Sequence, residues 1–196
     1  MFDSIAGKIV KRLTDANVIE ECDGEIYLFG MQQFLSTAFG FISVFFIMLV
    51  MGEVLNGILF VVSFSVLRQY AGGYHASTKI GCYIMSLSSV FVILLAIKYF
   101  DFDRVICLVL LIIFGTIILL LSPVEAVNKP LDQTERSVYR KRTIITALIE
   151  FIAAVALVGF GYIKPALSVV FAYGLVVFAL VMGKFSLQYE KSFGKR

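Results

Sequence analysis

Val105-Ile-Cys-Leu-Val-Leu-Leu-Ile-Ile-Phe-Gly-Thr-Ile-Ile-Leu-Leu-Leu121 runs without a charge between Arg104 and the Ser122-Pro123 pair. A helix needs about 17 to 25 apolar residues to cross the hydrocarbon of a bilayer, and this stretch meets that length alone. Comparable stretches lie on both sides of it, at Phe34 to Met51, Val54 to Leu67, Cys82 to Ile97, Thr143 to Ile163 and Pro165 to Gly183. The second and third of the six spans are short unless they extend into their polar flanks. With 60% hydrophobic and only 16% charged residues, and a mean hydropathy of +0.93, the chain is built for lipid rather than for a water-facing fold.

Six spans place both termini on one side. Every Lys and Arg except Lys98, Arg104 and Lys164 then falls on that side, so the positive-inside rule predicts cytoplasmic termini. Residues 122–142, carrying Lys129, Arg136, Arg140, Lys141 and Arg142, read as a basic cytoplasmic loop stiffened by Pro123 and Pro130. The first 30 residues hold too many charges for a signal-peptide core, so insertion is expected through the spans themselves, without cleavage. Within them, Phe2, Ile5, Ala6, Ile9, Leu13 and Ala16 share one helical face, as in an amphipathic cytoplasmic-face helix lying in the interface or packed on the bundle. The expected architecture is therefore an all-α integral membrane protein: one domain over residues 1–196, six transmembrane helices and an N-terminal amphipathic helix. No internal repeat marks it as an inverted-repeat transporter.

Chemistry concentrates in residues 68–82, Arg68-Gln-Tyr-Ala-Gly-Gly-Tyr-His-Ala-Ser-Thr-Lys-Ile-Gly-Cys82, which contain the sole histidine. A thiol and an imidazole form the minimal set for nucleophilic catalysis. In an unbroken helix, residues seven apart are roughly 10 Å apart along the axis, so contact needs a bend, and Gly72, Gly73 and Gly81 supply backbone freedom. Ser77 or Thr78 is placed to cap the following helix, leaving Cys82 near its N-terminal turn, where the dipole favours a thiolate. The competing reading makes His75 an interfacial histidine bonded to a loop carbonyl and Cys82 a small apolar residue. The remaining cysteines offer less: Cys22 lies in an acidic stretch, Cys107 in an apolar one, and three cysteines make no disulfide framework. One histidine without nearby partners provides no metal site, and no cofactor is expected.

The pattern Arg68-x4-Gly73-x-His75-Ala76-x5-Cys82-Tyr83, followed by Ser122-Pro-Val-Glu-Ala-Val-Asn-Lys129-Pro130-Leu and preceded by Gly30-Met31-Gln32, resembles the accessory gene regulator B (AgrB) family of quorum-sensing membrane peptidases. Length, span number and motif order agree over most of the chain. The resemblance implies a bacterial cell-membrane cysteine endopeptidase that removes the acidic C-terminal tail of an accessory gene regulator D (AgrD) type precursor peptide. It implies a thioester on Cys82, with His75 as general base and acid, and ring closure to a thiolactone or lactone autoinducing peptide. A homodimer in the lipid bilayer is expected by the same resemblance, and nucleic acid is not an expected partner.

Further candidates carry two readings each. Arg68 can hold a substrate carboxylate or steady an oxyanion, or be an ordinary interfacial arginine; the family pattern also places an arginine there. Gly73 belongs to the same pattern. Lys129, Pro130, Arg136, Arg140, Lys141 and Arg142 set topology beside anionic lipid, and would also attract an acidic tail. Gln32 stands where it can orient His75, and Glu150 is a carboxylate well inside the fifth span, where a charge is costly. The rival from another class is a membrane protein that binds or exports a peptide without catalysis.

Overall fold

The structure, a computed structural model, describes residues 2–74, 78–100, 102–125 and 132–193. The helices are α1 (Asp3–Asp15), α2 (Gly24–Met51), α3 (Val54–Ala71), α4 (Lys79–Tyr99), α5 (Arg104–Leu121), α6 (Gln133–Gly159) and α7 (Ile163–Phe193), and α2 to α7 are each long and apolar enough to span a membrane. The six expected spans are all present, and the two short ones do extend into their flanks. Helix α3 continues to Ala71 and α4 begins at Lys79.

The expected loop over 122–142 is corrected at its second half. Residues from Gln133 onward belong to α6, because Asp132 caps the helix and Glu135 reaches back to the Asp132 nitrogen at 3.2 Å in a full capping box. Arg136, Arg140, Lys141 and Arg142 are therefore helical. Hydropathy cannot detect a helix that extends into water, since its polar residues break no backbone rule. Arg68 and Cys82 likewise stand on helices, and of the residues between them the described non-helical ones are Gly72 to Tyr74 and Thr78.

Contacts divide the chain into two units, Met1–Ile47 and Met48–Arg196. In the first, Phe2 ahead of α1 meets Phe39 of α2 edge-on with centroids 5.5 Å apart, and Ala6 and Val10 of α1 are buried. The amphipathic segment is thus a helix whose apolar face is covered at Ala6 and Val10 and open at Ile5.

In the second unit α7 packs on α3, α5, α6 and α4. Its buried set includes Ala166, Leu167, Val170, Ala172, Tyr173, Val176 and Leu180. Small residues let helices approach, as lipid-solvated bundles require. A Cβ on Gly174 would stand 3.1 Å from the Phe114 ring, and Gly115 lies against the Tyr173 ring. Tyr173 crosses to α6 and donates its hydroxyl proton to the Ala147 carbonyl at 2.5 Å.

The two ends of this unit differ in charge. At one end Lys98 donates to the Met51 carbonyl at 2.7 Å, Arg104 lies beside the Gly161 turn, and Lys164 opens α7. The opposite end gathers Arg68, Arg136, Arg140, Lys141, Arg142 and Lys184. The asymmetry counted along the sequence is thus also an asymmetry in space.

Candidate functional site

Helix α3 ends at Gly72, whose φ of +74° an L side chain resists, and Gly73 follows at +114°. The extended backbone crosses the end of the second unit. Gly72 pairs with Val124 in an isolated parallel bridge: the Gly73 N–H donates to Val124 O at 3.0 Å, and the Val124 N–H to Ala71 O at 2.9 Å. Val124 follows a cis Ser122–Pro123 bond.

One residue further on, the Tyr74 N–H donates to Ala179 O at 2.9 Å. Ala179 lies within α7, and its carbonyl has a second lone pair to offer beyond the intrahelical bond. The approach is possible because Gly183 has no side chain: a Cβ there would lie 2.7 Å from the Tyr74 nitrogen and 2.8 Å from Gly73 Cα. A Cβ on Gly73 would in turn meet Ala179 O at 2.6 Å. Half-buried Arg68 completes the arrangement, donating from its two terminal nitrogens to the carbonyls of Gly72 and Tyr74.

The other side of the segment starts with Thr78, the N-cap of α4, whose hydroxyl accepts from the Gly81 N–H at 3.1 Å. Thr78, one of the two expected caps, is therefore the cap. Cys82 makes the first intrahelical bond, its N–H donating to Thr78 O at 3.0 Å, and its thiol is exposed and unbonded to another sulfur. The N–H groups of the residues before it precede the helical ladder and point along the dipole towards its positive end. The Arg68 guanidinium and the Cys82 thiol are within electrostatic range of each other. His75 itself lies outside the described residues, as do Ser77, Lys129 and Pro130.

Beside the Val124 bridge a cleft of about 500 Å³ opens between the ends of α5, α6 and α7. Arg136, Arg140 and Lys184 line it, with Ser122 and Gln133. Arg136 pairs with Glu125 at 3.1 Å, and the buried Ser122 hydroxyl has no partner among the described residues. Arg142 is turned elsewhere, with its guanidinium 5.5 Å from the Tyr70 ring centre on α3, and Lys141 is exposed. Gln32 is half-buried on α2 in the first unit. Glu150 lies on α6 within electrostatic range of Tyr173, with one carboxylate oxygen buried and unpartnered among the described residues.

Ala179, Gly183, Lys184 and Gln133 were not singled out as site residues by sequence reasoning, and Ser122 entered only as the first residue of a motif. For the first two a signal did exist, since Ala179 and Gly183 have the small-x-x-x-small spacing of close helix approach.

Residues 2–187 match the family model for accessory gene regulator B. A Clostridium perfringens (strain 13 / Type A) protein described as AgrB-like protein 2 is 26% identical over 187 residues, covering 87% of each chain. No solved structure matches the chain.

Proposed function

The chain belongs to the accessory gene regulator B family, and on that premise we propose that this membrane protein is a cysteine endopeptidase acting on a precursor peptide of the accessory gene regulator D type. Cys82 is the nucleophile and His75 the general base and acid. The observation that carries the reading is local: the backbone is held to the residue before His75, and the same short segment ends in an exposed Cys82 at the start of α4.

In the reaction His75 takes the thiol proton, and the Cys82 sulfur attacks the scissile carbonyl carbon. The C–N bond breaks, His75 returns the proton to the leaving amine, and the acidic tail departs. The N-terminal part remains as a thioester on Cys82. A thiol or hydroxyl inside the peptide then gives its proton to His75 and attacks that carbonyl; the bond to Cys82 breaks, the ring closes, and the Cys82 thiolate takes the proton back from His75. Tethering gives this internal attack a large effective molarity over water. Cations at the same end of the second unit suit an acidic tail, and Arg140 and Lys184 in the cleft are the side chains assigned to it.

Both termini and this end of the unit are assigned to the cytoplasm. A cysteine introduced at Lys164 is then labelled by an impermeant maleimide from outside the cell, and one at Ser137 only after lysis.

Intact-protein mass spectrometry tests the chemistry, using the protein in lipid with an acidic-tailed precursor. Wild type should gain the mass of the N-terminal precursor fragment, labile to hydroxylamine, and Cys82→Ala and His75→Ala should not. Retained tail removal by Cys82→Ala would sink the assignment and favour peptide binding or export. Charge reversal at Arg140 or Lys184 should raise KM for the precursor with kcat little changed; an unchanged KM would remove the cleft from substrate binding.

A further inference from the structure

One side chain and two backbone attachments converge on the four residues that precede His75, and only the side chain, Arg68, lies in the segment from Arg68 to Cys82. Arg68 binds the carbonyls of Gly72 and Tyr74, Val124 pairs with Gly72 through bonds to Ala71 O and the Gly73 N–H, and α7 receives Tyr74 through Ala179 O and the gap left by Gly183. A peptide segment with one hydrogen-bonded edge can still pivot about it. Attachments to three different elements remove that freedom, and the last of them falls on the residue next to the histidine.

We propose that Gly183 and Ala179 of α7, together with Arg68, are positioning residues that set the height and rotation of the backbone from which His75 reaches Cys82. The inference rests on the catalytic reading of those two residues. Arg68 acts here through the loop: each of its two terminal nitrogens donates to a backbone carbonyl. Gly183 sets the distance between α7 and the loop. A methyl group at that position collides with backbone atoms on the loop side, which cannot rotate away as a side-chain tip can. Relief requires Gly73 and Tyr74 to move outward, and the following residue moves with them. A misplacement of about 1 Å in a catalytic group can cost on the order of 10²-fold in rate.

The test requires no precursor. In lipid bilayers, with Cys22→Ser and Cys107→Ala in every form, the rate of Cys82 alkylation by iodoacetamide is followed from about pH 5 to pH 9, the range that brackets imidazole titration. The starting form and His75→Ala define the two limiting profiles. Gly183→Ala is expected to shift towards the His75→Ala profile, losing most of the histidine-dependent rate. Arg68→Lys, which keeps the charge and loses the fork, should shift in the same direction. Gly159→Ala, whose Cβ meets nothing within 4 Å, should leave the starting profile intact. If Gly183→Ala fails to fold, Arg68→Lys decides.

Starting-form profiles in folded Gly183→Ala or in Arg68→Lys overturn the positioning role while leaving the peptidase reading intact. Should His75→Ala itself match the starting form, the histidine does not act on the thiol, and the catalytic reading falls together with this inference.

Discussion

Helices α2 and α7 are almost equally apolar, with mean hydropathies of 2.3 and 2.4 over their best stretches, yet 6% of the first stretch is buried within the protein and 56% of the second. Hydropathy measures whether a helix dissolves in lipid. It does not say whether the helix touches protein, because lipid tails and leucine side chains are equally good neighbours to an apolar surface. Residue size separates the two. Helix α2 carries Phe29, Phe34, Phe41, Phe45 and Phe46 exposed along its length, and Gly30 and Gly40 have nothing within 4 Å of where a Cβ would stand. Helix α7 sets Ala166, Ala172, Gly174, Ala179 and Gly183 among larger residues, and neighbours approach at those positions.

The contrast is sharpest at fully buried Leu167, which lies near the start of α7, far along the helix from Gly183. Leu167→Ala should destabilise the protein by about 2 kcal/mol, the low end of core truncations, since lipid offsets the transfer cost but not the lost packing. Reversible unfolding in mixed micelles measures it. Next comes Tyr173→Phe, which deletes the buried bond to Ala147 and should cost about 1 kcal/mol. Smallest is Phe45→Ala on the exposed face of α2, expected to fall within about 0.5 kcal/mol of wild type. A loss at Phe45 as large as that at Leu167 would break the comparison, because it would mean that this face of α2 is packed and not solvated by lipid.

The same division explains how much of the fold was legible. Six spans could be read because an apolar run of sufficient length has few other fates. Their ends were read less well: α6 begins at Gln133 rather than Thr143, and α7 runs to Phe193 rather than Gly183, since a helix continues into water on capping and propensity that hydropathy ignores. Within the site, Cys82 and the Thr78 cap followed from local spacing. The seat under Tyr74 did not. It joins Tyr74 to Ala179 and Gly183, and the glycine before it to Val124, all distant in sequence, and no local pattern announces a carbonyl that accepts a second bond. Arg68 illustrates the limit from the other side. A cation beside a glycine pair suggests a substrate contact, and only the fold shows its nitrogens turned to the Gly72 and Tyr74 carbonyls.

Because α7 both packs the bundle and receives the loop at Gly183, one helix answers two structural demands at separate addresses. In a randomised library, cells screened only for membrane insertion and abundance would constrain the stretch from Ala166 to Val176 and tolerate side chains at Gly183 that the bundle itself does not exclude. If Gly183 positions the loop as proposed, cells screened for signal output would reject those same Gly183 variants. The difference between the two tolerance maps, read along this single helix, would separate the residues that the bundle needs from those that the loop needs.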